Sequence, residues 1–101
     1  MKLWAVGDAF FVGTFQLMGA GGTVVQSPDE ARREIERLLA DDEIGVVLVA
    51  QTLADRIGEA FSAYIERRDL PLVLAVPDRE SSAKGVEQVM RVLQASLGIT
   101  F

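Results

Sequence analysis

Residues 44–50 read IGVVLVA, and this run predicts the centre of the fold. An uninterrupted apolar segment rich in β-branched side chains is typical of a strand buried on both faces, as in a parallel sheet. Shorter apolar runs occur at residues 3–6, 23–25 and 72–76, and the last is bracketed by prolines that do not interrupt its ladder. The sequence therefore predicts four strands in one parallel sheet.

Helical patterns fill the intervals between these strands. Ser27-Pro28-Asp29-Glu30 combines a capping serine, a proline suited to the first helical position and a glutamate that reaches back to the cap's amide. Apolar stripes at helical spacing occur in three segments: Ala31, Ile35, Leu38 and Leu39; then Ile57, Ala60, Phe61, Tyr64 and Ile65; then Val86, Val89, Met90, Leu93 and Leu97. Alternating strands and helices predict a small three-layer α/β/α domain of the flavodoxin-like type, and 101 residues suggest one domain, residues 1–101.

The stretch GDAFFVGTFQLMG, residues 7–19, follows the first strand and raises the question of a site. Asp8 lies at the carboxyl edge of the predicted sheet, where such folds bind ligands, and is therefore a candidate metal ligand or phosphate acceptor. It is equally placed to cap the first helix by accepting amide hydrogen bonds near Phe10 or Phe11, and capping is the interpretation we favour.

The apolar side chains of this first helix fall on two adjacent faces. Phe11, Phe15 and Met18 share one face, and we expect Phe11 and Phe15 to pack in the core. Phe10 shares the other face with Thr14 and Leu17, and it is a candidate partner contact.

Composition excludes several classes of function. The chain has neither cysteine nor histidine, so it lacks thiolate ligands, the commonest metal ligand and the commonest general base. A net charge of -5 disfavours nucleic acid. No nucleophile, base and orienting group can be assembled, and we expect no catalytic residue, no metal site and no cofactor.

The remaining polar and glycine-rich segments have simple structural interpretations. Gly19-Ala20-Gly21-Gly22 follows a helix and precedes a strand, the reverse of a phosphate-binding context, and is predicted to be a helix stop and turn. The carboxylates at 41–43 and 78–80 are interpreted as solvated turn residues, and Ser81-Ser82 as a cap of the last helix. Asp8 interrupts the first apolar run before a signal-peptide core forms, and no run is long enough to span a membrane, so we expect a cytoplasmic protein.

Two motifs carry a resemblance to a known family. The strand Trp4-Ala5-Val6 is followed by Gly7-Asp8 and, after five residues, by Thr14-Phe15-Gln16-Leu17-Met18-Gly19. This resembles the first motif of the F subunit of V/A-type ATPases and ATP synthases: an apolar strand, Gly-Asp, five residues, then Gly-Phe-Arg-Leu-Ala-Gly. The matching residues are Phe15, Leu17 and Gly19, and the departures are Thr14, Gln16 and Met18.

The second motif, LPLVLAVP at residues 70–77, is similar to the family's proline-flanked fourth strand. The third strand ends Val49-Ala50-Gln51, where the family usually has Ile-Thr-Glu. If the family's arginine and glutamate interact, Gln16 and Gln51 remove both partners here. Order, spacing and length nevertheless agree over nearly the whole chain.

The resemblance implies a sheet order of 2-1-3-4 and a non-catalytic component of the rotor's central stalk. Such a protein would bind the coiled-coil rotor shaft (the D subunit of the V/A-ATPase) and other central-stalk subunits, and would couple ATP hydrolysis or synthesis to ion transport. It would reach the membrane only through the complex. In the family the C-terminal segment is implicated in shaft contact and in regulating the motor.

The end of the chain supplies the other candidate partner contacts, Leu97, Ile99 and Phe101. Gly98 ends the helical periodicity, and Ile99 and Phe101 follow at strand spacing, so both point to one side. They either dock on a partner or cover the edge of the core.

Two other function classes remain open from the residues. A receiver-like signalling domain has the right topology, but it needs an acceptor aspartate where this chain has Ala50-Gln51. A small-molecule-binding flavodoxin-like protein has the right edge but no recognisable phosphate loop.

Overall fold

A four-stranded parallel sheet forms the framework of residues 1–78, the part of the chain that the structure, a computed structural model, describes. The strands are β1 (Lys2–Gly7), β2 (Gly21–Val24), β3 (Ile44–Ala50) and β4 (Leu72–Val76). Their spatial order is β2-β1-β3-β4, and every neighbouring pair is parallel. The predicted fold class and sheet order are confirmed.

Helices cover the sheet from both sides. The described helices are α1 (Ala9–Gln16), α2 (Pro28–Leu39), α3 (Gln51–Ile57) and α4 (Glu59–Ile65). Helix α1 packs on β1 and β2 at one face. The other three lie on the opposite face, where Glu34 and Glu36 of α2 accept hydrogen bonds from Thr23 of β2 and Tyr64 of α4.

Helix α1 approaches the sheet closely because glycines lie beneath it. A Cβ atom on Gly7 would lie 2.6 Å from Cδ1 of Phe11, and one on Gly22 would collide with Val12. Phe11 and Val12 are both buried, and Phe15 packs against this core with its ring centroid 5.0 Å from that of Phe11. The predicted core role is thus correct for Phe11 and Phe15.

Met18 does not share the helix face of Phe11 and Phe15, although its spacing predicted that it would. It is 67% exposed, because α1 ends at Gln16 and the chain turns away from helical spacing after the C-cap, Leu17. Val12 takes the buried position instead.

The glycine segment divides between turn and strand. Gly19 is the turn residue, with a φ of 94°. Gly21 and Gly22 already belong to β2 and pair with Trp4 and Ala5 of β1. The expectation of a turn was wrong there, since these glycines make room for neighbours: a Cβ on Gly21 would collide with the Trp4 ring.

The third predicted helix is broken in two at Gly58. This residue has φ 75° and ψ -140°, outside the range of a helix and unfavourable for any residue with a side chain. Ile57 therefore ends α3, and the remaining apolar positions of the stripe lie on α4. Hydrophobic periodicity continues across the break, which is why it was not apparent in the pattern.

The predicted last helix, the Ser81-Ser82 cap and the tail lie outside the described residues. Within the described residues, strand β4 carries apolar side chains that are exposed to solvent. Leu72 and Leu74 point to the same face as α1 by strand alternation, and both are more than a third exposed.

Candidate functional site

The carboxyl edge of the sheet carries an open cleft of about 320 Å³. Its polar lining comes from the segments that follow all four strands: Asp8, Gln26, Thr52, Arg56 and Asp78. This is where α/β sheets bind ligands, so each of these side chains bears on the choice between an enzyme, a receiver and a passive component of a complex.

Asp8 is a helix cap. Its Oδ1 accepts a hydrogen bond of 2.8 Å from the backbone N–H of Phe11, and its own backbone is extended, as at an N-cap. Its backbone carbonyl accepts the N–H of Val12 at 3.0 Å, the first bond of the helix. The capping interpretation is confirmed, and one carboxylate oxygen is committed to α1.

Thr52 and Asp78 link the two segments that follow β3 and β4. The Thr52 hydroxyl donates a 2.8 Å hydrogen bond to Oδ1 of Asp78, so this carboxylate is part of the fold's own hydrogen bonding rather than a simple solvated turn residue. Sequence reasoning missed this pair. The signal was available, since both residues lie just beyond the ends of strands that are neighbours in the order 2-1-3-4.

A receiver needs its phosphate-accepting aspartate at the end of the third strand, where this chain has Ala50 and Gln51. Ala50, the last residue of β3, is buried, and Gln51 opens α3 and donates a 2.8 Å hydrogen bond to Asp55 on the same helix. Gln16 lies at the other end of the domain, at the C-terminus of α1 and hence beside the amino edge of the sheet. The two glutamines are therefore not neighbours. Within residues 1–78, no group of three acidic side chains is close enough to hold a metal ion.

A series of hydrogen bonds runs across the face of the sheet that α2 covers, away from α1. The Trp4 indole N–H donates to the Thr23 hydroxyl at 3.0 Å, and that hydroxyl donates to Glu34 Oε1 at 3.0 Å. Glu34 also forms an ion pair with Arg37 one turn along α2. The hydrogen bond from Arg37 is the main reason that the pKa of Glu34 lies below its ordinary value, and burial opposes it. These contacts hold α2 to β1 and β2, which is a structural role.

Of the four candidate partner contacts, one lies in the described part of the chain. Phe10 is 58% exposed on α1, as a contact residue requires, while Leu97, Ile99 and Phe101 lie outside the described residues. None of the helices within residues 1–78 has the length and apolar character needed to cross a membrane.

Comparison with known proteins gives a consistent result. The family described as ATP synthase (F/14-kDa) subunit matches residues 3–93 of this chain. The A-type ATP synthase F subunit of Pyrococcus abyssi is 29% identical over 104 residues, covering 98% of this chain and 96% of the relative. Proteins of the same name in Pyrococcus furiosus and Methanococcus maripaludis are 28% and 29% identical, covering 98% and 92% of this chain and 96% and 90% of those relatives.

Proposed function

The chain belongs to the family of the ATP synthase (F/14-kDa) subunit, and from this membership we propose that it is a non-catalytic rotor component in the central stalk of a V/A-type ATP synthase. The observation that carries the proposal is the near end-to-end alignment with proteins named as the F subunit of A-type ATP synthases. The full domain, rather than a shared fragment, is therefore what these proteins have in common.

The proposed partner is the coiled-coil rotor shaft, the D subunit of the complex, together with other central-stalk subunits. The chain would turn with the shaft and couple ATP hydrolysis or synthesis on other subunits to ion transport. It would work in the cytoplasm and lie at the membrane only as part of the complex. Phe10, Leu97, Ile99 and Phe101 remain the proposed contacts.

The carboxyl-edge cleft supports a role without catalysis. Asp8 is engaged in capping α1, and Asp78 accepts a hydrogen bond from Thr52. The carboxylates that a receiver or a metal-dependent enzyme would use are thus engaged in holding elements of the domain together.

Coexpression with the shaft protein of the same genome tests this proposal. We expect a 1:1 complex on gel filtration at micromolar concentration, and no ATPase activity from this chain alone. The genes for the A, B and D subunits should lie beside its own. Separate elution of the two proteins, with both folded by circular dichroism, would contradict the rotor assignment.

Deletion of residues 99–101 tests the tail contacts separately. Burial of a phenylalanine against a partner stabilises by roughly 1.5 to 3 kcal/mol, so the deletion should weaken binding of the shaft protein by up to about a hundredfold. Calorimetric titration measures the affinity, and a thermal melt of the isolated chain is the control. Unchanged affinity with a large fall in melting temperature would assign the tail to the core instead.

A further inference from the structure

Helix α1 has a surface unlike that of the other helices of residues 1–78. No charged residue occurs from Ala9 to Pro28, whereas α2 carries seven charged residues among its twelve. A surface helix normally presents charged or polar side chains opposite its buried stripe. The solvent side of α1 is instead uncharged: it presents Phe10 and the C-cap Leu17 beside the polar side chains of Thr14 and Gln16.

The exposed apolar groups of α1 form one stripe. Phe10 and Leu17 are 58% and 91% exposed, and they lie seven residues apart, two turns along the same face. Thr14 is exposed between them, and Met18 continues the apolar surface beyond the C-cap. Single exposed apolar side chains are ordinary, but a contiguous group on one helix marks an interaction surface.

Gly13 lies in the same stripe, and the packing of residues 1–78 does not require a glycine there. A Cβ atom at this position would meet nothing within 4 Å, in contrast to Gly7 and Gly22 beneath the helix. Glycine is the least favourable residue in a helix interior apart from proline. Its effect is a shallow notch between Phe10 and Leu17, which lets another backbone or a large side chain approach α1 closely.

We propose that this α1 stripe (Phe10, Gly13, Thr14 and Leu17) is the seat of a partner helix that places an aliphatic side chain in the notch over Gly13. The inference rests on the proposed function, in which the partner helix belongs to the coiled-coil shaft. The partner helix is uncharged where it crosses the stripe, because α1 offers no charge to pair with and an unpaired buried charge is strongly unfavourable.

The size of the patch favours a helix held by a larger assembly over a second copy of this chain. Even at the roughly 150 to 250 Å² that a buried aromatic residue contributes, the two apolar side chains of the stripe, Phe10 and Leu17, together reach about 300 to 500 Å². A stable two-protein interface needs about 800 Å² from each partner. The stripe therefore serves as one part of a contact that other segments complete.

The stripe also faces away from the sheet. Phe11 and Val12 point into the core, and the sheet surface left open on this side is at Leu72 and Leu74 of β4.

Substitutions in the stripe test this inference by titration calorimetry with the shaft protein. Phe10→Ala and Leu17→Ala should each weaken binding about 10- to 100-fold, the equivalent of burying one such side chain. Ile65→Ala removes an exposed apolar side chain from α4 on the far face and is the matched control, with unchanged affinity expected.

Gly13→Ala separates a docking role from a structural one. In the isolated chain it should raise the melting temperature by about 2 to 8 °C, because alanine favours the helix and meets no neighbour. In the same variant, affinity for the shaft protein should fall at least fivefold, and Gly13→Leu should abolish binding. A helix that needed Gly13 for its own packing would instead lose stability.

The outcomes distinguish this inference from the proposed function. Binding of the wild-type chain together with unchanged affinity in all stripe variants would overturn the inference and leave the rotor assignment standing. Failure of the wild-type chain to bind would overturn both. A fall of more than about 10 °C in the melting temperature of Phe10→Ala and Leu17→Ala, or a wild-type dimer in sedimentation that Phe10→Ala dissolves, would assign the stripe to the domain's own core or to self-association.

Discussion

The indole nitrogen of Trp4 donates a hydrogen bond to the hydroxyl oxygen of Thr23, 3.0 Å away, and this bond ties the edge strand β2 to β1. The same hydroxyl donates onward to Glu34 of α2. One threonine thus satisfies a half-buried tryptophan and links the sheet to a helix.

Replacing this threonine by valine keeps the shape and removes both hydrogen bonds. We expect Thr23→Val to lower the free energy of unfolding by about 1 to 2 kcal/mol, because the Trp4 donor loses its acceptor. Urea unfolding followed by far-ultraviolet circular dichroism measures the change. Thr14→Val is the control, since Thr14 donates only to the carbonyl of Phe10 in its own exposed helix. Equal losses in the two variants would contradict a special role for Thr23.

The ion pair of Glu34 with Arg37 predicts a small dependence of stability on pH. The pKa of Glu34 is lowered from 4.5 in the folded state, so the pair contributes stability above the unfolded value and loses it as pH falls through the folded one. Because Arg37 is exposed, solvent screens the pair and we expect its contribution to stability to be small.

Glu34→Gln should therefore lose stability at pH 7 and show a shallower acid limb than the wild type. Urea unfolding at pH 7 and pH 3 measures both effects, and Arg37→Met should show the same flattening. Parallel curves for wild type and both variants would show that the pair contributes nothing.

Asp8 should tolerate loss of its charge better than loss of its oxygen. Asn caps helices about as well as Asp, so Asp8→Asn should cost little, whereas Asp8→Ala should lower stability by about 0.5 to 2 kcal/mol. Chemical unfolding of the two variants measures the difference. The melting temperature should not change with Mg²⁺. If millimolar Mg²⁺ stabilised the protein and Asp8→Asn abolished that effect, the result would support Asp8 as a metal ligand.

Gly58 and Gly13 should respond in opposite directions to the same substitution. Gly58→Ala forces a side chain into a backbone conformation with φ 75° and should cost about 1 to 3 kcal/mol. Gly13→Ala should stabilise by about 0.4 to 1 kcal/mol. Thermal melts of the two variants and the wild type measure both changes in stability. A Gly58→Ala variant as stable as the wild type would mean that α3 and α4 can join into one helix.

The predictable parts of this fold are those in which local chemistry and tertiary packing agree. Residues 44–50 and 72–76 are strands with the predicted bounds. Ser27 caps α2 as expected by accepting the N–H of Glu30. The Glu30 carboxylate departs slightly from expectation, since it accepts the N–H of Gln26 rather than that of the cap.

The unpredictable parts depend on contacts distant in sequence. In the sequence, Gly21 and Gly22 resemble turn residues. In the structure they are strand residues that leave room for the side chains of Trp4 and Val12. The Thr52–Asp78 bond spans 26 positions and follows only from the sheet order. The break at Gly58 is a change of backbone conformation, and the spacing of apolar side chains does not predict it.

The sheet has a charged side, which carries α2, and an opposite side, which carries the uncharged helix α1. This difference indicates where a label can be attached without covering the α1 stripe. The natural sequence has no cysteine, and Arg33 of α2 is exposed on the charged side, away from α1. Arg33→Cys therefore creates a unique thiol for a fluorophore or a bead, and the label occupies the side of the domain that does not carry the α1 stripe. Under the proposed rotor role, a probe attached there would report rotation and leave the α1 stripe uncovered.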